Sequence, residues 1–245
     1  MTAAHTADDF THLCSQHSTI KHDFTSDTPL IIGVDEVGRG SLFGQMTVAA
    51  VILPADISGE FDKINLTNTA LSPLNDSKKL SPKKRDLLFD VISQISLSHV
   101  IVDVPASVID AINIYQATLL GMRLAIERLL AAHTTTQTAP QILIDGNATP
   151  ILSANFYAHQ PHIRTIIKGD GVHSSIAAAS ILAKVHRDRS MIEFAKQYPK
   201  YHLDKHKGYA SAAHTHAIKT LGILPEHRKT FSPMKDMLAQ GELFS

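Results

Sequence analysis

The hydrophobic positions of the chain follow two patterns that alternate along its length. Short runs rich in β-branched residues predict strands, and longer segments with apolar residues three and four positions apart predict amphipathic helices. The predicted strands cover 29–36, 46–54, 99–105, 141–147 and 162–170, and the predicted helices cover 81–95, 106–132 and 174–198. Strands that alternate with helices are typical of an α/β layer architecture, which we therefore predict.

Two of the predicted helices carry more specific signals. Ser81 and Pro82 are suited to the N-cap and the first position of a helix. The apolar positions that follow predict one buried face, made of Leu87, Leu88, Val91, Ile92 and Ile95. The helix over 174–198 contains the run AAAS at 177–180. Side chains this small predict a helix that packs closely against the sheet.

The remaining segments set the expected domain boundaries. Residues 1–28 are polar and show no periodicity, so we predict a flexible N-terminal tail. Residues 55–75 are rich in Gly, Pro, Asn and Ser and predict a loop. From about residue 200 the chain is basic and helical in pattern, which predicts a small C-terminal appendage. We therefore expect one domain over 29–245.

Composition narrows the setting in which the protein works. The 245 residues are 44% hydrophobic, which is typical of a globular protein. Cys14 is the single cysteine, so an intramolecular disulfide is excluded and a reducing compartment is favoured. The sequence contains neither an apolar run long enough for a membrane span nor a signal-peptide pattern. We expect a monomeric cytoplasmic protein with no membrane association.

The charge balance argues against one kind of nucleic-acid binding. With 23 basic and 23 acidic residues, the formal net charge is zero, so the protein does not coat nucleic acid through bulk charge. A local basic groove remains compatible with this balance, because basic residues cluster at 78–85, 200–209 and 226–229. Lys78 and Lys79 are candidates for contacts with backbone phosphates, although a solvated surface explains them equally well.

Acidic residues stand where predicted strands end. These residues are Asp35, Glu36, Asp145 and Asp170. Ligands of open α/β sheets bind beyond the carboxyl ends of the strands. Four carboxylates at that edge would repel one another unless a cation neutralised them, and oxygen ligands favour Mg²⁺ or Mn²⁺ over Zn²⁺. A pair of such ions is suited to hydrolysis of a phosphodiester.

Simpler interpretations of the same residues stay open. Asp145 and Asp170 lie in Asp-Gly and Gly-Asp pairs, which are common in turns. Asp35 and Glu36 would point to opposite faces of an ideal strand, so both can serve one site only if the strand ends or bulges there. The glycines of 38–44 approach a dinucleotide fingerprint without matching it, and the adjacent carboxylates would repel a pyrophosphate.

Five segments in order carry a family resemblance. They are GVDEVGRGSLFG (33–44), NDSKKLS (75–81), ILIDGN (142–147), KGD with AAASILAKVHRD (168–188) and HKGY (206–209). Together, over roughly residues 30–235, they resemble ribonuclease HII, the bacterial type 2 ribonuclease H. The resemblance implies a ribonuclease H-like mixed sheet flanked by helices, with a small C-terminal helical element.

The resemblance also implies an activity. It predicts a metal-dependent endoribonuclease that cuts the RNA strand of RNA–DNA hybrids and cuts at single ribonucleotides in duplex DNA. The expected products carry 5′-phosphate and 3′-hydroxyl ends, and the expected cofactor is Mn²⁺ or Mg²⁺. The family's metal-binding and catalytic acids fall on Asp35, Glu36, Asp145 and Asp170.

The family's substrate-binding residues fall on two further segments. Gly38, Arg39 and Gly40 match the element that contacts the ribonucleotide 2′-hydroxyl, and Tyr209 matches the tyrosine that packs on the neighbouring sugar. An ion pair between Arg39 and Asp35 or Glu36 is an alternative role. The chain departs from the family at Ser41, where proline is usual, and at Phe43, where a smaller residue is usual.

Two other functions remain as alternatives at this stage. One is an exonuclease with four acidic residues, which would lack the Gly-Arg-Gly loop. The other is a nucleic-acid-binding module without activity, which would have no use for a set of mutually repelling acids.

Overall fold

The protein is built on a mixed six-stranded sheet. The structure, a computed structural model, describes residues 6–21, 30–74, 80–133 and 139–241. The strands are β1 (Ser15–Ile20), β2 (Ile31–Val37), β3 (Met46–Ile52), β4 (Ser98–Val104), β5 (Gln141–Asp145) and β6 (His162–Ile166). Their order across the sheet is β1-β4-β3-β2-β5-β6. The pairs β2–β5 and β5–β6 are parallel, and the other pairs are antiparallel.

Helices cover both faces of this sheet. In the described residues the α-helices are α1 (Pro82–Ile95), α2 (Ala106–Ala132), α3 (Ser174–Gln197), α4 (Leu203–His206), α5 (Ala212–Leu221) and α6 (Met234–Ala239). One core lies between α2 and the sheet, and a second lies between the sheet, α1 and α3. A third cluster joins the C-terminal helices to α3. Within the described part of the chain, none of these helices combines the length and hydropathy needed to cross a bilayer.

The predicted architecture is confirmed, and most helix ends match. α2 has the predicted bounds, although Asn113 interrupts its regular backbone with φ 65°. α1 begins after Ser81, whose side chain accepts a hydrogen bond from the Lys84 N–H at 3.4 Å. The predicted apolar face of α1 is partly wrong, because Leu87 is 60% exposed while Leu88 is buried. Leu88 and Ile92 are buried in the second core while Val91 and Ile95 are only partly buried, so the buried stripe of α1 is narrower than predicted.

Close packing between α3 and β2 sets the position of the central strand. Ala177, Ala178 and Ala179 are fully buried, which confirms the predicted close contact of this helix with the sheet. A Cβ atom added to Gly33 of β2 would lie 2.2 Å from the Ser175 carbonyl carbon. Only glycine permits this approach, and as a result β2 is held at Gly33 directly against the first turn of α3.

The N-terminal segment differs from its prediction. The expectation of a flexible tail over 1–28 is wrong for residues 6–21, because Ala7–Leu13 forms a 3₁₀-helix and β1 pairs with β4 at the edge of the sheet. The side chains of β1 are mostly exposed, so the strand has no hydrophobic alternation. Backbone hydrogen bonds to β4 hold it in place, and these leave no signal in the sequence.

The segment predicted as a loop over 55–75 is irregular as far as residue 74, apart from a short 3₁₀-helix at Ala55–Ile57. It is nevertheless docked on the start of α3, since the Gly59 N–H donates to Ser174 Oγ at 3.0 Å. Leu71 and Leu74, near the end of this segment, are buried in the second core.

Candidate active site

Asp35 and Asp145 lie side by side near the carboxyl ends of two parallel strands. The register of β2 and β5 pairs Val34 with Ile144, and the next residue of each strand is the aspartate. β5 ends at Asp145, so this carboxylate stands at the edge of the sheet. Ligands of α/β sheets bind at this edge, and the parallel pairing of β2 and β5 therefore creates the acidic site.

Glu36 joins this pair from within β2. The strand continues to Val37, so Asp35 and Glu36 are consecutive strand residues and do not follow the end of the strand. The backbone N–H of Glu36 donates to Asp35 Oδ1 at 2.7 Å. The negative charge of Asp145 acts on both side chains. Three of the four predicted acids are therefore electrostatically coupled.

The site stabilises the charged forms of its acids poorly. Burial, followed by the negative charges of Glu36 and Asp145, raises the pKa of Asp35 well above its ordinary value. A hydrogen bond from Ser180 opposes this increase without cancelling it. Burial also raises the pKa of Glu36, although the positive charge of Arg39 opposes the shift. A divalent cation would relieve both effects, so the residues fit a metal with oxygen ligands.

The prediction that Asp170 ends the strand over 162–170 is wrong, because β6 ends at Ile166 and Asp170 lies on a separate turn. It is buried in a one-turn 3₁₀-helix, Gly169–Gly171, immediately before α3. The Gly169 N–H donates to Asp145 Oδ1 at 2.6 Å, which ties this turn to the end of β5. All four acids lie in the described residues, yet no three of them bring their oxygens within 4.8 Å of one another.

The glycine loop begins directly after β2. Gly38 has φ +90°, a conformation that favours glycine, and an added Cβ would lie 2.3 Å from Arg187 Nε. Arg39 Nη1 lies 3.6 Å from Glu36 Oε1, so the ion pair considered from the sequence is present. The Arg39 side chain is half-exposed, and Gly40 is exposed with open space around its Cα. This part of the loop is accessible to a substrate.

A buried arginine supports the glycine loop from the interior of the protein. No pattern in the sequence selects this residue. Arg187 of α3 is 0% exposed. Its guanidinium donates to the carbonyl oxygens of Gln45, Lys207 and Phe43 and to Ser41 Oγ, at 2.9, 2.9, 3.1 and 2.7 Å. A planar group with five N–H donors can make all four contacts from one position.

Arg228 supports the same loop from the C-terminal region. It is also fully buried, and its Nη1 donates to the Arg39 carbonyl oxygen at 2.7 Å. Burial, together with the positive charge of Arg187, lowers the pKa of Arg228 to about 9. In the sequence both arginines stand in charged runs, HRDR and EHRK, and nothing there distinguishes them from surface residues. Only the tertiary contacts show their role.

Ser41 and Phe43, the two departures from the family pattern, both pack in the interior of the protein. Ser41 is fully buried, and its hydroxyl donates to the Phe43 carbonyl oxygen at 2.9 Å while accepting from Arg187. Phe43 is fully buried and meets the ring of Phe194 edge-on, with centroids 5.2 Å apart. Neither side chain occupies the accessible part of the loop.

Of the other predicted substrate-binding residues, one lies within the described part of the chain and two lie outside it. Tyr209 forms a backbone bridge with Ser41, which places it beside the glycine loop, and its ring lies 5.4 Å from Arg187 Cζ. Lys78 and Lys79 lie outside the described residues. The structure thus brings together the four acids, the Gly38–Gly40 loop and Tyr209.

Solved structures share this fold. The ribonuclease H2 from Pyrococcus horikoshii OT3 aligns with a TM-score of 0.60 at 22% identity, covering 88% of this chain and 100% of that one. The RNase HII from Archaeoglobus fulgidus aligns with the same TM-score at 24% identity, covering 84% of this chain and 96% of that one. These alignments place the chain in one class of protein, that of the ribonuclease H-like fold.

Sequence comparisons identify the family within that class. The family model described as ribonuclease HII matches residues 32–234. A ribonuclease HII of Psychrobacter arcticus is 46% identical over 245 residues, covering 93% of this chain and 85% of the relative. A ribonuclease HII of Psychrobacter sp. PRwf-1 is 45% identical over 237 residues, covering 84% of this chain and 78% of the relative. The chain belongs to the ribonuclease HII family.

Family membership confirms the predicted activity in outline. The protein is a metal-dependent endoribonuclease, a hydrolase of phosphodiester bonds that acts on RNA–DNA hybrids. Both alternatives considered from the sequence, the exonuclease and the inactive binding module, are therefore set aside.

Proposed function

We propose that the protein cuts the RNA strand of hybrids, and single ribonucleotides within duplex DNA, at a site where Asp35, Glu36, Asp145 and Asp170 bind two Mn²⁺ or Mg²⁺ ions. The observation that carries the proposal is the geometry of the acids: Asp35 is buried, the register of β2 and β5 places Asp145 beside it, and Glu36 is the next residue of β2. Such an arrangement costs stability unless cations are bound, so it is a feature of a metal site rather than of a structural core.

The number of carboxylates supports a pair of ions. One Mg²⁺ ion that keeps several waters is held by one or two carboxylates, so four of them offer ligands for a second ion, and paired ions are suited to phosphodiester hydrolysis. When bound, such a pair activates water and stabilises the leaving 3′-oxygen of the phosphodiester. The chain itself then needs no side-chain nucleophile, and its acids act as ligands. The Gly169 N–H fixes the orientation of the Asp145 carboxylate.

Recognition of the ribonucleotide is assigned to the loop beside the acids. A 2′-hydroxyl is the group that distinguishes RNA from DNA, and the exposed backbone at Gly40 allows close approach of a sugar. Gly38 and Arg39 complete this contact, and Tyr209 packs on the adjacent sugar. Lys78 and Lys79 are proposed as contacts with backbone phosphates, on the basis of their charge alone.

We also infer the setting in which the site operates. Residues 29–245, together with the described residues 6–21, form one catalytic domain that acts as a monomer in the cytoplasm. The single cysteine, which excludes an intramolecular disulfide, supports a reducing compartment.

The proposal is tested by changing Asp145 to Asn and offering a DNA duplex that contains one ribonucleotide. The amide oxygen of Asn can still accept the hydrogen bond from Gly169, so the fold should persist, but one negative ligand is lost. We expect cleavage with Mn²⁺ or Mg²⁺ to fall about a thousandfold, which corresponds to a loss of several kcal/mol of transition-state stabilisation. Substrate binding, measured by fluorescence anisotropy, should change little. Cleavage by the variant at the wild-type rate would remove Asp145 from the metal site.

Substitution of Arg39 tests the recognition loop. We expect Arg39→Ala to reduce the preference for a ribonucleotide over a deoxyribonucleotide at the cleaved position about tenfold, because one directed hydrogen bond to the substrate is lost. Arg39→Lys is the matched control, since it keeps the positive charge beside Glu36 without the planar donor group. If kcat/KM fell by the same factor on every substrate, Arg39 would instead be a general phosphate contact.

A further inference from the structure

A second group of side chains of the types that ligate metals lies away from the acidic site. His17 of β1, Asp103 of β4 and His186 of α3 come from three separate elements. His186 Nε2 lies 2.8 Å from Asp103 Oδ2, and His17 Nε2 lies 3.7 Å from the same oxygen. The two imidazole rings are 4.9 Å apart at their centroids. One ligand atom from each residue lies within 4.8 Å of the other two.

We propose that these three residues bind a divalent transition-metal ion of the Zn²⁺ type. Two imidazole nitrogens and one carboxylate oxygen form a ligand set that zinc prefers and that Mg²⁺ does not. In a tetrahedral site with bonds of about 2.1 Å, neighbouring ligand atoms lie about 3.4 Å apart. The two distances to Asp103 Oδ2 lie on either side of this value and the two imidazole nitrogens lie within 4.8 Å of each other, so small side-chain rotations bring the three atoms to bonding distance.

The surroundings orient the carboxylate for this role. Thr47 Oγ1 donates a hydrogen bond to Asp103 Oδ1 at 2.5 Å, which fixes the carboxylate and leaves Oδ2 facing the two histidines. Partners of this kind typically orient the ligands of metal sites. Asp103 and His186 are half-buried, whereas the side chain of His17 is 56% exposed, so solvent can supply the remaining ligand.

The group is distinct from the acidic site. Along the strand pairs, Asp35 is opposite Ala49, Ala49 is opposite Ile101, and Ile101 is opposite His17. Three strand spacings therefore separate Asp35 from His17, a distance of about 14 Å. The two sites also differ in chemistry, since one offers only oxygen and the other mainly nitrogen. A metal at the histidine site takes no part in the cleavage reaction.

A metal at this position would attach β1 to the body of the protein. β1 is an edge strand with exposed side chains, held by backbone pairing to β4 alone among the strands. Bonds through the ion would join this strand to α3, the same helix that carries Arg187. The proposed site is therefore structural, and its occupancy should reduce opening of the N-terminal strand.

The test uses the full chain, freed of metal and then equilibrated with excess Mg²⁺ to fill the acidic site. Titration with Co²⁺, followed by visible absorption, and with Zn²⁺, followed by calorimetry, should show one equivalent bound. We expect His17→Ala and Asp103→Asn to weaken this binding by at least about tenfold. His12→Ala is the matched control, because His12 is an exposed histidine of the same N-terminal segment. Because His17 is exposed, its replacement should leave the fold intact.

Hydrogen exchange provides the second measurement. Zn²⁺ should slow exchange of the amides of Ser15–Ile20 in the wild type and not in His17→Ala. Asp145→Asn should keep its Zn²⁺ binding, which separates this proposal from the one for the acidic site. Equal Zn²⁺ affinity in the wild type and His17→Ala would overturn the proposal and leave the three residues as a hydrogen-bonded cluster.

Discussion

Asp35→Asn should abolish cleavage and, at the same time, make the metal-free protein more stable. The wild-type carboxylate is buried and repelled by Glu36 and Asp145, and these effects raise its pKa well above the ordinary value. Asparagine has nearly the same shape, and its amide oxygen can accept the hydrogen bond that the Glu36 N–H donates to Asp35. The substitution therefore removes an unfavourable charge while keeping the local contacts. We therefore expect the free energy of unfolding of the metal-free protein at pH 7 to increase.

The gain should depend on pH with a definite sign. An acid whose pKa is raised in the folded state binds more protons there than in the unfolded state, so its contribution to stability falls as pH rises through that interval. Below the unfolded value, near pH 4, both states are protonated and the wild type and the variant should be similarly stable. The difference should then grow as the pH is increased towards neutrality.

Chemical denaturation in EDTA at several pH values measures this effect. Asp56→Asn is a suitable control, because Asp56 is exposed in the 3₁₀-helix Ala55–Ile57 and should change little. Added Mn²⁺ should stabilise the wild type more than Asp35→Asn, since ligand binding to the folded state raises its stability. A loss of stability in the metal-free variant at pH 7 would contradict the electrostatic account of the site.

Arg187→Lys should destabilise the protein and impair cleavage, even though the charge is kept. The arginine donates to three carbonyl oxygens and one hydroxyl, and a lysine ammonium cannot reach all four from one position. Acceptors left unpaired in a fully buried site each cost about 1–3 kcal/mol, so we expect a loss of about 3 kcal/mol in the free energy of unfolding. Cleavage should fall at least about tenfold because the Gly38–Gly40 loop loses its support.

Arg189→Lys is the matched control for this substitution. Arg189 lies on the same helix, two residues later, and its side chain is 48% exposed in surface ion pairs with Asp86 and Asp90. Its replacement should change stability by less than about 0.5 kcal/mol. Reduced discrimination between ribonucleotide and deoxyribonucleotide substrates in Arg187→Lys alone would place the effect in the loop. Equal stability of the two variants would show that the buried contacts contribute little.

The elements of the fold could be predicted where local pattern and tertiary structure agree. Residue spacing predicted the bounds of α2, and the capping residue Ser81 predicted the start of α1. Side-chain size predicted that the alanine-rich face of α3 packs closely on the sheet. β1 could not be predicted, because an edge strand with exposed side chains has no hydrophobic period to detect. The exposure of Leu87 was missed for a related reason, since periodicity shows which face of a helix is apolar but not how much of it is covered.

For the acidic site, too, the sequence predicted some features and only the tertiary structure showed others. The four acids were selected from their positions at strand ends, and the structure brings the strands β2 and β5 together in the register that this selection requires. How Asp35 and Glu36 could act together stayed open in the sequence. The backbone hydrogen bond between them and the shared influence of Asp145 are tertiary features.

By itself, the sequence determined the α/β pattern, the set of acids and the segments that relate the chain to ribonuclease HII, because these depend on residue type and spacing. Only the tertiary structure decided that Arg187 and Arg228 are buried supports of the glycine loop, and that His17, Asp103 and His186 meet between β1, β4 and α3. The burial of a residue, and the convergence of several residues at one site, depend on which distant segments pack together. The sequence shows that a residue is charged, but it does not show whether that residue lies in water or in the core.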